Sequence, residues 1–413
     1  MTTPTINPPR PRPNAKTTPP TIKLKPQRPE RIGHPWVYDN EIASAPQSGF
    51  ASGGIVRIQD SRGRTLGTGY ANLASKIAVR FLTRRFDEHI DTHFWHNRLQ
   101  RAYAYRQARY ASQNALPPAY RLAHGEADGL PGLVVDIYPG YAVAQFLALG
   151  LESWRDPIIA ALMQLPGIQG VYERSDSAVR KLEGLEEQTG TLAGTTPPDL
   201  LEWQDDGATL VADIKTGAKT GLFLDQRENQ KAAALEAKGR DILNCFSYTG
   251  LFGLRAAHAG AASITNVEIS PAFTALDNEQ WTRNNLTIPH TAVTDNVFDY
   301  LRVLDTKGYK TDMVILDPPA FTKSRASRDG AMRGYNEINR MGMRLLRAGG
   351  VLVTCSCSHH LSAGEFRDMV QQSARDANRT LRLIETRGQP ADHPVLLNAP
   401  ETEYLKCLIL TVE

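Results

Sequence analysis

Three short polar motifs, each placed directly after an apolar run, constrain this chain more than any other feature. They are NCFSYTG (244–250), DPPAF (317–321) and TCSCS (354–358). Short apolar runs without alternation are typical of parallel strands that are buried on both faces. In an open parallel sheet, the carboxyl ends of the strands meet at one edge, where ligands bind. The sequence therefore predicts an α/β fold whose site gathers these three motifs.

The pattern from about Leu200 alternates between strands and helices, which is typical of a doubly wound sheet. Asp225 and Glu228 have the spacing of a capping box for a helix that runs to Lys238, and Ser270 with Pro271 predicts the start of another helix. We expect strands at Asp241–Asn244, Ser263–Glu268, Ala292–Thr294, Met313–Leu316, Val351–Thr354 and Tyr404–Val412.

The first half of the chain predicts smaller folding units. Residues 1–21 are rich in Pro and Thr and are expected to be a disordered extension. Short strand-like runs punctuated by Gly and Asn indicate a β-rich domain over 22–86. A central α+β domain over 87–195 is expected to begin with a helix near 87–110 and to contain a hairpin that turns at Pro139 and Gly140. The remaining residues, 196–413, form the doubly wound domain.

The basic residues are concentrated at the front of the chain. Residues 1–110 hold 18 Lys and Arg against 7 Asp and Glu, a net of +11, whereas the remainder holds 29 against 37, a net of −8. Such a surface suits a polyanion such as RNA, although a solvated tail with ordinary surface arginines explains the count equally well. Trp36 and Tyr38 of the HPWVY segment could stack on bases or could belong to the core.

Cysteine usage and hydropathy indicate a cytoplasmic protein. The four cysteines, Cys245, Cys355, Cys357 and Cys407, are too few for a disulfide framework, so thiols are expected. Their spacing does not match zinc ligands, and we expect no metal. No apolar run is long enough to span a bilayer, and the N-terminus lacks the apolar stretch of a secretory signal.

The turn after the first strand of the doubly wound domain predicts a cofactor site. Its single Gly250 does not form GxGxxG, which disfavours NAD. The turn Ser247, Tyr248, Thr249 and Gly250 opens a helix, and its backbone donors suit the carboxylate of S-adenosylmethionine. At the ends of the next two strands, Glu268 could accept hydrogen bonds from ribose, and Asp295 with Asn296 could reach the adenine.

The other two motifs predict chemistry on a flat base. In DPPAF, Pro318 and Pro319 stiffen the backbone, while Asp317 and Phe321 could hold a base by hydrogen bonding and stacking. In TCSCS, either Cys355 or Cys357 could add to the 6-position of a cytosine and activate its 5-position for methylation. Buried inert thiols are the ordinary alternative.

The segment between DPPAF and the next helix is polar and basic. It runs from Thr322 to Arg333 and includes Lys323 and Arg328. We expect a loop that could clamp RNA phosphates beside the base pocket, and a solvated loop is the alternative. Lys323 and Arg333 are the candidate substrate contacts.

Several long motifs in a fixed order make the chain resemble one family. These are GHPWVY, GEADGLPGLVVD, YERSDSAVRKLEGLE, TGLFLDQRENQ, LNCFSYTGLFG, DPPAFTKS, TCSCS and EYLKCL. Together they resemble the ribosomal RNA large subunit methyltransferase I family, over about residue 22 to the C-terminus.

The resemblance implies a fold, a cofactor and a reaction. The fold would be an N-terminal PUA-like domain, a central α+β domain and a class I methyltransferase domain. The reaction would be methylation of the 5-position of a cytosine in large-subunit ribosomal RNA by S-adenosylmethionine. Gln226, Arg227, Phe246 to Gly250, Glu268, Asn296 and Asp317 would line the cofactor site. Cys357 would be the nucleophile, and Asp317 would hold the cytosine.

Two other functions fit the same residues. A DPP turn also serves methylation of a base nitrogen in guanine or adenine, which needs no thiol. A protein that keeps the fold and binds RNA without turnover is the non-enzymatic alternative. The sequence leaves the oligomeric state open, a homodimer included.

Overall fold

A computed structural model describes residues 19–46, 50–113, 115–321 and 328–413. These residues divide into two compact units. The first takes in the chain up to Leu201 with Asp213–Leu222 and Pro394–Thr402, and the second takes in Glu202–Ala212, Phe223–His393 and Glu403–Glu413. Most of the predicted extension lies outside the described residues, and the three predicted domain boundaries stay a prediction. Within the described ranges, no helix is both long enough and apolar enough to cross a membrane.

The first unit begins with a six-stranded sheet. Its strands are β1 (Thr21–Leu24), β2 (Trp36–Tyr38), β3 (Ile42–Ser44), β4 (Ile55–Gln59), β5 (Thr65–Ala71) and β6 (Ile77–Thr83). They lie in the order β2-β6-β5-β4-β1-β3. Alternating side chains, among them Ile22, Leu24, Val56 and Ile58, are buried on one face and form its core. The β-rich region predicted from the Gly-punctuated runs is thus confirmed.

A second sheet with three helices completes the described part of this unit. Its elements are α1 (Thr92–Arg109), β7 (Tyr120–His124), β8 (Leu133–Tyr138), β9 (Tyr141–Phe146), α2 (Arg155–Met163), β10 (Gly170–Ser175), α3 (Val179–Leu182) and β11 (Gln188–Gly194). The sheet order is β11-β10-β9-β8-β7. The hairpin is confirmed, since Tyr138 pairs with Tyr141. Helix α1 begins five residues later than predicted because Asp91 caps it, accepting from the Phe94 amide at 2.9 Å.

The second unit opens with a hairpin and continues with alternating helices and strands. Its elements are β12 (Leu201–Asp205), β13 (Ala208–Ala212), α4 (Arg227–Leu235), β14 (Asp241–Cys245), α5 (Leu251–His258), β15 (Ser263–Glu268), α6 (Pro271–Arg283), β16 (His290–Thr294), α7 (Val297–Thr306), β17 (Thr311–Leu316), α8 (Arg328–Leu345), β18 (Leu346–Ser356), α9 (Ala363–Asp376), β19 (Leu381–Arg387) and β20 (Lys406–Val412).

The seven-stranded sheet of this unit has the order β16-β15-β14-β17-β18-β20-β19. The first five strands in this order, β16, β15, β14, β17 and β18, are parallel to one another. Strand β20 runs antiparallel between β18 and β19. The helices bury apolar faces against both sides of the sheet, for example Tyr335 and Ile338 on one side and Phe252 and Ala256 on the other. The doubly wound α/β fold is confirmed, and the central strands are where the apolar runs predicted them.

Three local predictions in the second unit are wrong. Asp225 does not cap α4, because residues Leu224–Gln226 form a 3-10 turn and the Asp225 carboxylate accepts from the Tyr404 hydroxyl at 2.7 Å. The helix also ends at Leu235 and not at Lys238. The segment from Arg328 to Arg333, expected to be loop, is the first part of α8.

Candidate active site

The carboxyl edge of the second unit's sheet brings the three motifs together. The pairing register aligns Val267 with Cys245, Cys245 with Leu316, and Leu316 with Thr354. The next residues of these four strands are therefore Glu268, Phe246, Asp317 and Cys355. Neighbouring strands lie about 4.8 Å apart, so these four positions span roughly 15 Å across one edge.

The turn between β14 and α5 has an unusual backbone. Phe246 and Tyr248 have φ of +58° and +51°, and Gly250 has φ of +77°. Residues other than glycine rarely adopt this left-handed conformation, and those that do cluster at functional sites. A Cβ on Gly250 would lie 2.1 Å from Asp277 Oδ1, so only glycine fits where the turn enters the helix. This turn therefore has a constrained backbone conformation, and a larger residue at Gly250 would disrupt it.

The same turn presents polar groups suited to S-adenosylmethionine. Ser247 Oγ and Thr249 Oγ1 are buried and have no hydrogen-bond partner among the described residues. Glu268 clamps the turn, since its two carboxylate oxygens accept from the amides of Tyr248 and Ser270, each at 3.0 Å. A carboxylate has further lone pairs, so Glu268 can hold the turn and still accept hydrogen bonds from ribose hydroxyls.

Asp295 and Asn296 follow β16, the neighbour of β15. The Asp295 amide donates to Glu268 O at 3.0 Å, which ties this loop to the end of β15. Asn296 caps α7 by accepting from the Phe298 amide at 2.9 Å, and Asp295 Oδ1 accepts from the Asn296 amide at 2.7 Å. Both side chains are exposed, so the loop lies at the edge with its polar groups in solvent.

The carboxylate of Asp317 is held from one side by Gln226. Gln226 Nε2 donates to Asp317 Oδ1 at 2.7 Å, and Gln226 Oε1 accepts from Asn229 Nδ2 at 2.6 Å. Arg227, the other candidate from LDQR, is buried and pairs with Glu228 at 3.0 Å and Asp392 at 3.4 Å. Gln226 therefore lies at the predicted site, whereas the recorded contacts of Arg227 hold α4 in place.

The DPPAF segment forms one wall of the site. Pro318 is buried and Pro319 is exposed. The Phe321 ring lies 4.7 Å from the Tyr335 ring, 5.8 Å from Phe298 and 6.3 Å from Phe246, measured between centroids. Phe321 is only partly buried, so this cluster fixes the ring and leaves part of it accessible.

The two thiols of TCSCS have different surroundings. All four cysteines are thiols. Cys355 is fully buried in the apolar core and lies directly opposite Cys407 on β20. The pKa of Cys355 lies well above its usual value. The larger cause is a hydrogen bond with Cys407, and the second is burial. Cys357 is only partly buried and lies just beyond the end of β18 at Ser356.

Lys406 and Tyr335 surround Cys357 and were not found by sequence reasoning. Lys406 pairs with Ser356 across the sheet, and its Nζ donates to Ser358 O at 2.7 Å. The Tyr335 hydroxyl bonds the hydroxyls of Ser356 at 3.0 Å and Ser358 at 2.9 Å. Cys357 lies between these two serines in sequence and interacts electrostatically with both Lys406 and Tyr335.

Burial shifts the pKa values of both Lys406 and Tyr335. Burial lowers the pKa of Lys406 to about 8, and the nearby Cys357 opposes the shift. Burial also raises the pKa of Tyr335, against hydrogen bonds from the two serines. The only indication of Lys406 in the sequence is that it is a lone lysine inside the apolar EYLKCL run. The sequence has no indication of Tyr335, because its position near Cys357 depends on a contact between α8 and the end of β18.

Of the basic candidates, only Arg333 can be located. Lys323 lies outside the described residues, and Arg333 is exposed on α8. Arg328 pairs with Glu365 of α9. Among residues 19–46, 50–113, 115–321 and 328–413, no cluster of His, Cys, Asp and Glu could hold a metal ion.

Family comparisons agree with this architecture. Residues 22–84 match a PUA-like domain, and residues 185–410 match an S-adenosylmethionine-dependent methyltransferase family. Two solved structures share the fold at 22% identity. One is a putative methyltransferase complexed with SAH, with a TM-score of 0.81 over 95% of this chain and 99% of the other. The other, from Streptococcus mutans, has a TM-score of 0.80 over 94% and 100%.

The fold and the turn around Gly250 thus define an S-adenosylmethionine-dependent methyltransferase. Curated relatives narrow this class. The chain is 40% identical to a ribosomal RNA large subunit methyltransferase I of Shewanella frigidimarina over 95% of its length and 99% of the relative. It is 41% identical to the protein of that name from Alteromonas mediterranea over 95% and 98%. The chain belongs to the ribosomal RNA large subunit methyltransferase I family.

Proposed function

We propose that this protein methylates the 5-position of a cytosine in large-subunit ribosomal RNA through a transient bond to Cys357. The substrate class follows from the relatives' names and from the PUA-like match. Because ribosomal RNA is made and assembled in the cytoplasm of bacteria such as these relatives, the proposal also places the protein there.

The environment of Cys357 is the observation that carries the proposal. A nucleophilic thiol must be reachable and must ionise easily. Cys357 is partly exposed at the carboxyl edge and is flanked by Lys406. Cys355 lies two residues earlier, is 0% exposed, and has a raised pKa. Of the two thiols, only Cys357 has the properties of a nucleophile.

Each candidate residue then has a defined role. The Cys357 thiolate adds to C6 of the cytosine, which moves the C5–C6 π electrons onto C5. Asp317, held by Gln226, and the Phe321 ring bind the base so that C6 faces the sulfur. When bound, S-adenosylmethionine would supply the electrophilic methyl group to C5, and its sulfonium sulfur would leave as the neutral thioether of S-adenosylhomocysteine. C5 then gives up its proton to a base or to solvent water, the C5–C6 double bond re-forms, and the Cys357 thiolate leaves.

The residues of the turn fit the cofactor. The buried hydroxyls of Ser247 and Thr249 and the backbone around Gly250 would bind its amino-acid end, because they are donors at a helix N-terminus. Glu268 would accept from the ribose, and Asp295 with Asn296 would lie by the adenine. Their distances and conformations support this assignment, which binding measurements on single variants can check.

The test compares two thiol variants on unmodified large-subunit ribosomal RNA. Cys357→Ala should lower 5-methylcytosine formation by at least about a thousandfold, because the addition step is lost. Cys355→Ala should retain at least a tenth of the wild-type rate. Nucleoside mass spectrometry measures the product, and circular dichroism with calorimetry of S-adenosylmethionine binding confirms that each variant is folded.

The same experiment decides between the alternatives. Normal 5-methylcytosine from folded Cys357→Ala would refute the covalent mechanism. Methylguanosine or methyladenosine from the wild type would indicate methylation of a base nitrogen. A wild-type protein that binds RNA but not S-adenosylmethionine would be a binding protein without turnover.

A further inference from the structure

The first unit contains a basic cavity that the methyl-transfer site does not explain. It has a volume of about 330 Å³ and lies where the end of β6 meets α1. Its charged lining residues are Arg84, Arg85, Glu88, Arg98, Arg101 and Glu126. Four arginines against two glutamates give the lining a positive charge.

Ion pairs within the unit neutralise both glutamates. Arg98 donates to Glu88 Oε2 at 3.0 Å. Arg80, buried behind the cavity, donates to Glu126 Oε1 at 2.8 Å, and Arg85 pairs with Asp87 at 3.0 Å. In the part of the chain that the structure describes, Arg84 and Arg101 have no carboxylate partner. The cavity therefore has two uncompensated cations.

Arg84 is fixed in an orientation suited to an anion. Its Cζ lies 4.0 Å from the centroid of the Phe81 ring, and its Nη2 donates to His34 O at 2.9 Å. Stacking and one hydrogen bond pre-organise the guanidinium, and its other donors remain available. Arg84 is exposed, so an anion can reach its guanidinium from solvent.

Two large apolar side chains that adjoin the lining residues in sequence are exposed. Phe86 directly follows Arg85 and is 75% exposed. Leu397, between the lining residues Leu396 and Asn398, is 93% exposed. An exposed aromatic ring close in sequence to unpaired arginines suits single-stranded nucleic acid, because every unpaired base can stack on such a ring. The two aromatic residues singled out in the sequence are engaged within the unit: Trp36 Nε1 donates to Glu126 at 2.7 Å, and Arg31 covers Tyr38.

We propose that this cavity docks a single-stranded segment of the RNA substrate, with a phosphate on Arg84 and Arg101 and a neighbouring base stacked on Phe86. The inference rests on the proposed function, since it requires an RNA substrate. It adds a binding site on the first unit, on residues that take no part in methyl transfer. The proposal gives a role to part of the positive charge at the front of the chain, namely the arginines that line this cavity.

The test measures RNA binding without methyl transfer. Fluorescence anisotropy with a single-stranded RNA oligonucleotide gives Kd over a range of salt concentrations. Arg84→Gln with Arg101→Gln should weaken binding about tenfold. It should also reduce the slope of log K against log salt by about 0.7, because the one phosphate held by both arginines contributes about 0.7 on a single strand. Arg62→Gln, an exposed arginine of the same unit outside the cavity, is the matched control and should change Kd less than twofold.

A second pair of variants tests the stacking contact. Phe86→Ala should weaken binding of the single strand about tenfold and leave binding of an RNA duplex unchanged, and Phe86→Trp should restore it. If the double arginine variant matches Arg62→Gln in both Kd and salt slope, the site is refuted. Competition by polyglutamate as strong as by RNA would mean that an acidic peptide is the natural ligand, which also refutes it. Neither result depends on Cys357, so a failure here is distinct from a failure of the proposed methylation.

Discussion

At the residue scale, the thiol of Cys357 owes its character to neighbours from distant parts of the chain. Lys406 donates to the carbonyls of Ser358 and Tyr404, at 2.7 and 2.8 Å. Two carbonyl acceptors favour the ammonium form, although burial lowers the pKa of Lys406 to about 8. The charged or titratable groups that act on this ammonium are Cys357, Glu403 and Glu365. Lys406 is therefore a cation at neutral pH and becomes neutral at mildly alkaline pH.

Replacing Lys406 should slow the reaction of Cys357 with iodoacetamide. Lys406→Met removes a positive charge that stabilises the thiolate, so we expect alkylation of Cys357 at pH 7 to slow about tenfold. Lys406→Arg should retain most of the wild-type rate. Because Lys406 itself loses its charge above pH 8, the rates of wild type and Lys406→Met should converge by about pH 9.

Mass spectrometry of the peptide that contains Cys357 follows this reaction separately from the three buried thiols. Equal alkylation rates in wild type and Lys406→Met at pH 7 would show that the ammonium does not act on the thiol. A loss of methylation without a change in alkylation would assign Lys406 a role in RNA binding.

At the element scale, the junction between β14 and α5 determines the shape of the cofactor site. Three left-handed residues, Phe246, Tyr248 and Gly250, turn the chain within five positions. Glu268 and Asp277 brace this turn from β15 and α6, and Asn266 Nδ2 donates to both carboxylate oxygens of Asp277, at 3.0 and 2.9 Å. The position of the turn thus depends on two neighbouring elements.

Gly250→Ala should abolish binding of S-adenosylmethionine. The new Cβ would meet Asp277 Oδ1 at 2.1 Å, in addition to the cost of about 1–2 kcal/mol for a left-handed alanine. Gly349→Ala is the matched control, since Gly349 has the same φ of +77° and no atom within 4 Å of an added Cβ. The control should lose about 1–2 kcal/mol of unfolding free energy and keep its affinity. Calorimetry and thermal unfolding measure both, and equal affinity in the two variants would contradict this account of the turn.

These elements also show what a sequence can and cannot reveal. The parallel strands and the three motifs were predictable because uninterrupted apolar runs and strand-end polar residues are local signals. The failed cap at Asp225 was not, because its carboxylate bonds a tyrosine 179 residues away. The difference between Cys355 and Cys357 depends on where β18 stops and on which strand lies opposite, and only the pairing of β18 with β20 determines both.

At the scale of the whole molecule, the described residues place the two candidate activities on separate compact units. The basic cavity lies in the first unit, and the methyl-transfer edge lies in the second. Binding of the two ligands can therefore be measured separately.

Binding of S-adenosylmethionine should stabilise the second unit. A ligand at one hundred times its Kd adds about 2.7 kcal/mol to the unfolding free energy of the unit that binds it. Hydrogen exchange should show new protection in residues 245–254 and at Glu268. Residues 81–86 and 98–101 should gain protection only when single-stranded RNA is added. If RNA alone protected residues 245–254 and Glu268, and the cofactor did not, the assignment of the two sites would be contradicted.

Strand β20 has a consequence for the lifetime of the protein. It lies between β18 and β19, and it carries the lysine beside the nucleophile. A protease that removed residues 406–412 would expose the unpaired backbone groups at the edge of β18, which promote aggregation. The same cleavage would remove Lys406, the cation near the Cys357 thiol. Such a fragment would aggregate or be degraded, so clipping at this end would not leave an inert copy that competes with the intact enzyme for ribosomal RNA.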